Sequence, residues 1–150
     1  MTKQIARCGE FNLPCSADTA FPLFSPEGER DWIQGWNPRA VFPNTLAFRR
    51  DTVFREGEGD DEAIWTILDA DPQTRRAEYV RVAPASHTAH IVVKVDVIGP
   101  ERSRVFVSYT VTAFGERSES VLDAFSERAY MARMTHWQNL IGIFLADREG

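Results

Sequence analysis

From about Leu46 to Phe114 the chain reads as strand after strand, and only then, over about 118–147, as one long helix. That order constrains the fold more than any other feature. The apolar runs are separated by short turn signals: Gly57-Glu58-Gly59-Asp60-Asp61, Asp71-Pro72-Gln73, Pro84-Ala85-Ser86 and Gly99-Pro100-Glu101. Short connections between successive strands imply antiparallel neighbours. Alternating strands have one face to cover, and the C-terminal helix is the only element large enough to cover it. The expectation is an α+β fold: a curved antiparallel sheet of about seven strands wrapped around a long C-terminal α-helix. No linker, repeat or low-complexity segment divides residues 1–150, so they read as a single domain.

The strands are expected over 46–56, divided in two around Arg50-Asp51, then over 63–69, 75–82, 88–98 and 103–114. Ahead of them, 3–13 alternates, with Ile5, Phe11 and Leu13 on one face, and reads as the first strand. Two short helices should follow. Ser16 can cap the first, with Asp18 in its first turn and Pro22 keeping it short. The second has Ser25 at its N-cap, Pro26 at the first helical position, Glu27 favouring the dipole, and Gly35 to end it. Glu27, Glu29 and Arg30 read as a cap and an ion pair holding these helices. Trp32 and Trp36 flank the exit, as core or as cavity mouth. Pro38 and Pro43 keep the next segment from being a regular central strand.

On the long helix, Leu122, Phe125, Ala129, Ala132, His136, Leu140 and Ile143 fall on one stripe, which Trp137, Ile141 and Phe144 widen. Small alanines at its middle and one polar ring suit the lid of a hollow better than a helix packed flat on a filled sheet. Gly142 interrupts good helix formers and suggests a close approach by another element.

Acidic and basic residues are interspersed around a net charge of −5, which argues against a nucleic-acid or anionic-membrane binder. No apolar run approaches the ~20 residues of a membrane span, and the N-terminus lacks a signal-peptide pattern. Cys8 and Cys15, if the first lies in a strand, are about 20 Å apart, against about 6 Å for a disulfide. A reducing, cytoplasmic setting is the simplest reading. His87 and His90 fall on opposite faces of a strand, so no metal site is expected. No cofactor is implied, and monomer and homodimer both stay open.

The element order resembles the START-like superfamily, also called SRPBCC or helix-grip. The run Phe24-Ser25-Pro26-Glu27-Gly28-Glu29-Arg30-Asp31-Trp32-Ile33-Gln34-Gly35-Trp36 is similar to the opening signature of a bacterial polyketide cyclase/lipid transport-like group within it. So are Trp65 within Ala63-Ile64-Trp65-Thr66-Ile67, the run Glu78-Tyr79-Val80-Arg81-Val82, and 130–140 with Trp137. The resemblance covers essentially the whole chain. It implies a helix-grip fold and a cavity for a lipid, hormone or polyketide, with cyclisation or dehydration in a minority of members. No catalytic motif of the group can be carried over by position.

The candidate ligand-binding residues are Trp65, Tyr79, Arg81, Tyr109, Phe125, Ala129, Ala132, His136 and Leu140. His136, if it faces a cavity, would serve as a general acid or base or bond a ligand oxygen; otherwise a neighbouring strand satisfies it. Tyr109 shares a face with Val105, Val107 and Val111. An inward Arg81 would favour a carboxylate, enolate or phenolate, whereas an outward one would pair with Glu78 or Asp96. The leading expectation is binding of a small hydrophobic or amphipathic molecule. The alternatives are a cyclase or dehydratase using His136, and a protein-interaction module with a collapsed cavity.

Overall fold

The structure, a computed structural model, describes residues 2–149. One antiparallel sheet holds all seven strands: β1 (Lys3–Leu13), β2 (Arg39–Phe42), β3 (Val53–Glu56), β4 (Ala63–Asp71), β5 (Arg76–Ala83), β6 (His87–Gly99) and β7 (Arg102–Ala113). Their order is β1-β7-β6-β5-β4-β3-β2, so the chain meanders from β2 to β7 and β1 closes the far edge. Alternation sets the faces. Phe11, Trp65, Tyr79, Ile91, Val107 and Tyr109 are all buried on the side that the helices cover. Among the described residues no helix is long and apolar enough to cross a membrane. Cys8 is exposed, Cys15 is buried, and both are free.

The first short helix, α1 (Ala17–Ala20), is capped as its sequence suggests: Ser16 Oγ accepts from Thr19 N at 3.2 Å. Phe21–Phe24, which contains Pro22, then tightens into a 3₁₀ turn. The second expected helix is only a 3₁₀ turn, Gly28–Asp31. Ser25 Oγ does accept from Gly28 N at 2.9 Å, but the backbone leaves the helical region at Trp32, whose Nε1 donates to Leu23 O at 2.8 Å. Glu27 and Arg30 pair at 3.4 Å. Two strands were expected over 46–56, but only Val53–Glu56 is one. Asp51 takes a φ of 72°, and Asp51 N and Thr52 O bond to Ile67 in β4, where the ladder shifts register.

The largest departure is in the C-terminal helix. It is two helices, α2 (Ser118–Ala124) and α3 (Glu127–Glu149). Phe125, at φ −115° and ψ 23°, ends the first, and Ser126 starts the second by accepting from Ala129 N at 3.2 Å. Arginines bond the carbonyls freed at the break: Arg7 Nε donates to Phe125 O at 2.8 Å and Arg133 to Ala124 O at 3.4 Å. A stripe counted from Leu122 in one unbroken phase therefore fails beyond Phe125. The residues that α3 buries are Tyr130, Met134, Ile141 and Leu145, with Trp137 half-buried beside them. Ala132 and His136 are exposed, and Ile143 is 61% exposed. The close approach belongs to Gly9 of β1, where an added Cβ would meet Met134 Cγ at 2.8 Å, while Gly142 faces open space.

Candidate ligand cavity

Between the concave face of the sheet and α2–α3 lies a cavity of about 530 Å³, within the range of small-molecule pockets. Its walls are aromatic. Trp36 and Trp65 meet edge to face at 5.6 Å, and Phe54 stacks behind Trp65 at 5.5 Å. On the other side Tyr109 and Phe125 approach to 5.4 Å, and Trp137 lines the cavity from α3. The Trp36 indole is anchored from behind: its Nε1 donates to Pro26 O at 2.9 Å. Asp61, Arg117, Ser120 and Ala124 rim the mouth, where Arg117 bonds Asp61 at 3.1 Å. That exposed pair contributes little stability.

Six polar side chains face the interior: Glu29, Arg81, Ser86, His87, Tyr109 and Arg133. Trp65 and Arg81 are register partners on β4 and β5, and the guanidinium carbon lies 5.5 Å from the indole centroid. Arg81 also donates to His87 Nε2 at 2.6 Å, and His87 Nδ1 meets Ser86 Oγ at 2.7 Å. A guanidinium only donates, so Nε2 must accept; the neutral ring then carries its proton on Nδ1 and gives it to Ser86. Burial, and then the charge of Arg81, push the His87 pKa down to about 4. Burial also lowers the Arg81 pKa, Tyr109 partly opposing it and Arg133 adding to it, but a guanidinium stays protonated in proteins.

Opposite, Arg133 lies over the Phe125 ring at 4.3 Å and the Tyr109 ring at 5.7 Å. Tyr109 is 5% exposed, and burial raises its pKa, so its hydroxyl is a donor at neutral pH. Glu29 enters from the 3₁₀ turn Gly28–Asp31. Its pKa stands well above the carboxylate range, first because of burial and then because of the nearby Glu56. Both effects favour the neutral acid.

Among the residues singled out in the sequence, Trp65, Arg81, Tyr109 and Phe125 line this cavity. Tyr79 does not: it is buried, but its hydroxyl donates to Phe24 O at 2.6 Å. Ala129 and Leu140 are half-buried on α3 away from the cavity, and Ala132 and His136 face outward. Sequence reasoning missed Glu29, His87 and Arg133. The signal for Glu29 was present, since Glu29, Ile33 and Trp36 follow helical spacing and all three line the cavity. Arg133 and Trp137 are likewise one turn apart, on a face visible only once α3 is phased from Ser126. No group of three or more potential metal ligands occurs among the described residues.

No family profile and no curated protein matches the sequence. Solved structures do match in shape. Norcoclaurine synthase from Thalictrum flavum, in a complex with a transition-state analogue, aligns over 100% of this chain and 99% of its own, with 13% identity and a TM-score of 0.70. An aromatase/cyclase from a Streptomyces species aligns over 91% of this chain and 93% of its own, with 14% identity and a TM-score of 0.69. A protein from Rhizobium leguminosarum covers 98% of this chain and 97% of its own, with 14% identity and a TM-score of 0.67. The order of elements, the seven-stranded curved sheet and the full-length superposition together give this chain the helix-grip fold of the START-like (SRPBCC) proteins.

Proposed function

We propose that this protein binds one small apolar or amphipathic molecule in the cavity between the sheet and the C-terminal helices. The observation that carries the reading is the cavity itself: about 530 Å³, walled by Trp36, Trp65, Tyr109, Phe125 and Trp137, with polar side chains set among them. Such a ligand is held by apolar burial, at ~25 cal/mol per Å², and oriented by those polar groups. The neighbours' descriptions agree in kind, since one norcoclaurine synthase structure holds dopamine and hydroxybenzaldehyde. Three tryptophans in the wall make intrinsic fluorescence the natural readout. Titration with aromatic and fatty-acid ligands should give saturable quenching that Val121→Trp, which fills the lining beside Phe125, abolishes. Quenching that persists in a folded Val121→Trp protein, or no quenching by any ligand, overturns the reading.

Turnover is a second reading, favoured by one observation: a carboxyl held toward its neutral form inside the cavity, at Glu29. A neutral acid beside Tyr109 could pass a proton to a bound carbonyl or leaving hydroxyl. His136, on the outer side of α3, cannot reach a ligand there. Glu29→Gln should then abolish turnover of any substrate found while leaving its binding intact.

A further inference from the structure

The cavity holds two guanidinium groups, and among the described residues neither Arg81 nor Arg133 forms a salt bridge. Each is instead laid on aromatic rings, Arg81 on Trp65 and Arg133 on Phe125 and Tyr109. Among the described residues the acceptor for Arg81 is a neutral imidazole, and those for Arg133 are the Ala124 carbonyl, at 3.4 Å, and the Tyr109 hydroxyl, all of them uncharged. Two donors in the same corner have no acceptor: Arg81 Nε and, from a side chain 7% exposed, Trp65 Nε1. Buried polar groups are normally hydrogen-bonded, and a buried charge left without an opposite one is strongly unfavourable.

Other charges come near this pair without answering it. Asp61, the other cavity carboxylate, is held by Arg117 at the mouth. Glu56 is near enough to Arg81 to act on it electrostatically, yet makes no ion pair with it. Glu29 forms no salt bridge with either guanidinium, and burial and then Glu56 disfavour its ionisation.

Resting on the proposed ligand-binding role, we infer that the ligand is a flat aromatic acid, its rings between the aromatic walls and its anionic oxygens received by Arg81 and Arg133. An anion there supplies the countercharge and acceptors that the chain omits. Because the groups are largely withdrawn from water, the bonds are charge-assisted and weakly screened by salt.

The test compares three probes of one shape, naphthoate, naphthamide and methylnaphthalene, titrated at about pH 7 and read by tryptophan fluorescence and calorimetry. The inference expects naphthoate to bind at least about tenfold more tightly than naphthamide. Arg81→Gln should erase that preference while changing methylnaphthalene affinity less than about threefold, and Arg133→Gln should reduce it. Equal affinity of naphthoate and naphthamide for the wild-type protein overturns the inference but leaves the ligand-binding reading standing. Binding of none of the three overturns both. The wild-type comparison decides the matter even if a variant fails to fold.

Discussion

Arg81 and His87 face each other across the β5–β6 turn, and their 2.6 Å bond fixes both the tautomer and the charge state of the imidazole. A ring that must accept from a guanidinium cannot be protonated without losing that bond and placing two cations side by side. The folded pKa of about 4 lies below the unfolded value of 6.5, so between them the unfolded chain takes up a proton that the folded chain refuses. This contribution to stability is full above about pH 6.5 and is lost as pH falls toward about 4. Thermal melts of His87→Gln should therefore show a shallower fall of Tm across that window than the wild type. Identical acid limbs would refute the assignment. Glu78, lowered chiefly by its bond to His90, acts only below its own unfolded value of 4.5.

Glu29 runs the other way. Its folded pKa is raised well above 4.5, by burial and then by Glu56, so its contribution is full below that value and is lost as pH rises through the folded pKa. Glu29→Gln keeps the shape of the neutral acid and removes the titration. The Tm of the variant relative to wild type should climb as pH rises above 4.5, the ordinary value. A difference that stays flat over that range would show that the carboxyl ionises freely.

The position of Glu29 depends on its neighbour. A Cβ added to Gly28 would sit 2.0 Å from Pro22 O and 2.8 Å from Leu23 Cα, both backbone atoms that cannot swing aside. Gly28→Ala must then push the 3₁₀ turn Gly28–Asp31 away from the turn Phe21–Phe24. We expect a loss of about 2 kcal/mol or more in urea unfolding, together with weakened binding of any cavity ligand. Gly35→Ala is the comparison: it too is strained, by a φ of 82°, but meets no atom within 4 Å and lies outside the cavity lining. It should cost about 1 kcal/mol and leave binding unchanged.

The sheet was legible because its evidence is local and repeated. Turn residues bound each strand, and the period of two pairs Tyr79 with Arg81, Trp65 with Ile67 and Tyr109 with Val107; the ladder register then brings all three sets to one face, which the sequence left open. The fold class follows from that order. The cavity residues on the helices were harder to read. Helical phase is cumulative, so the break at Phe125-Ser126 displaces every later residue from a stripe drawn through Leu122. Nothing near Ser126 in sequence announces the two arginines that bond the broken end, because Arg7 comes from the opposite edge of the sheet. Glu29 reads in sequence as part of a cap and ion pair because its neighbours Glu27 and Arg30 do pair. A polar side chain inside a cavity and one in solvent look alike until the surrounding walls are known.

The phase of α3 can be tested directly, by two substitutions two residues apart. In an unbroken helix running from Ser118, His136 would face the sheet and Met134 would be turned away from it. In the structure Met134 is 2% exposed and packs where Gly9 lets α3 approach β1, whereas His136 is exposed. Met134→Ala should therefore cost about 2–4 kcal/mol, because a buried side chain leaves a gap that the stiff β1–β7 ladder cannot close. His136→Ala removes an exposed ring from a helix surface and should change stability by no more than about 0.5 kcal/mol, with ligand affinity unaltered. Equilibrium urea unfolding of both variants under the same conditions reads the difference. If His136→Ala proved the costlier change, α3 would be rotated by roughly half a turn, Arg133 and Trp137 would leave the cavity, and the two-arginine receptor would lose one of its members.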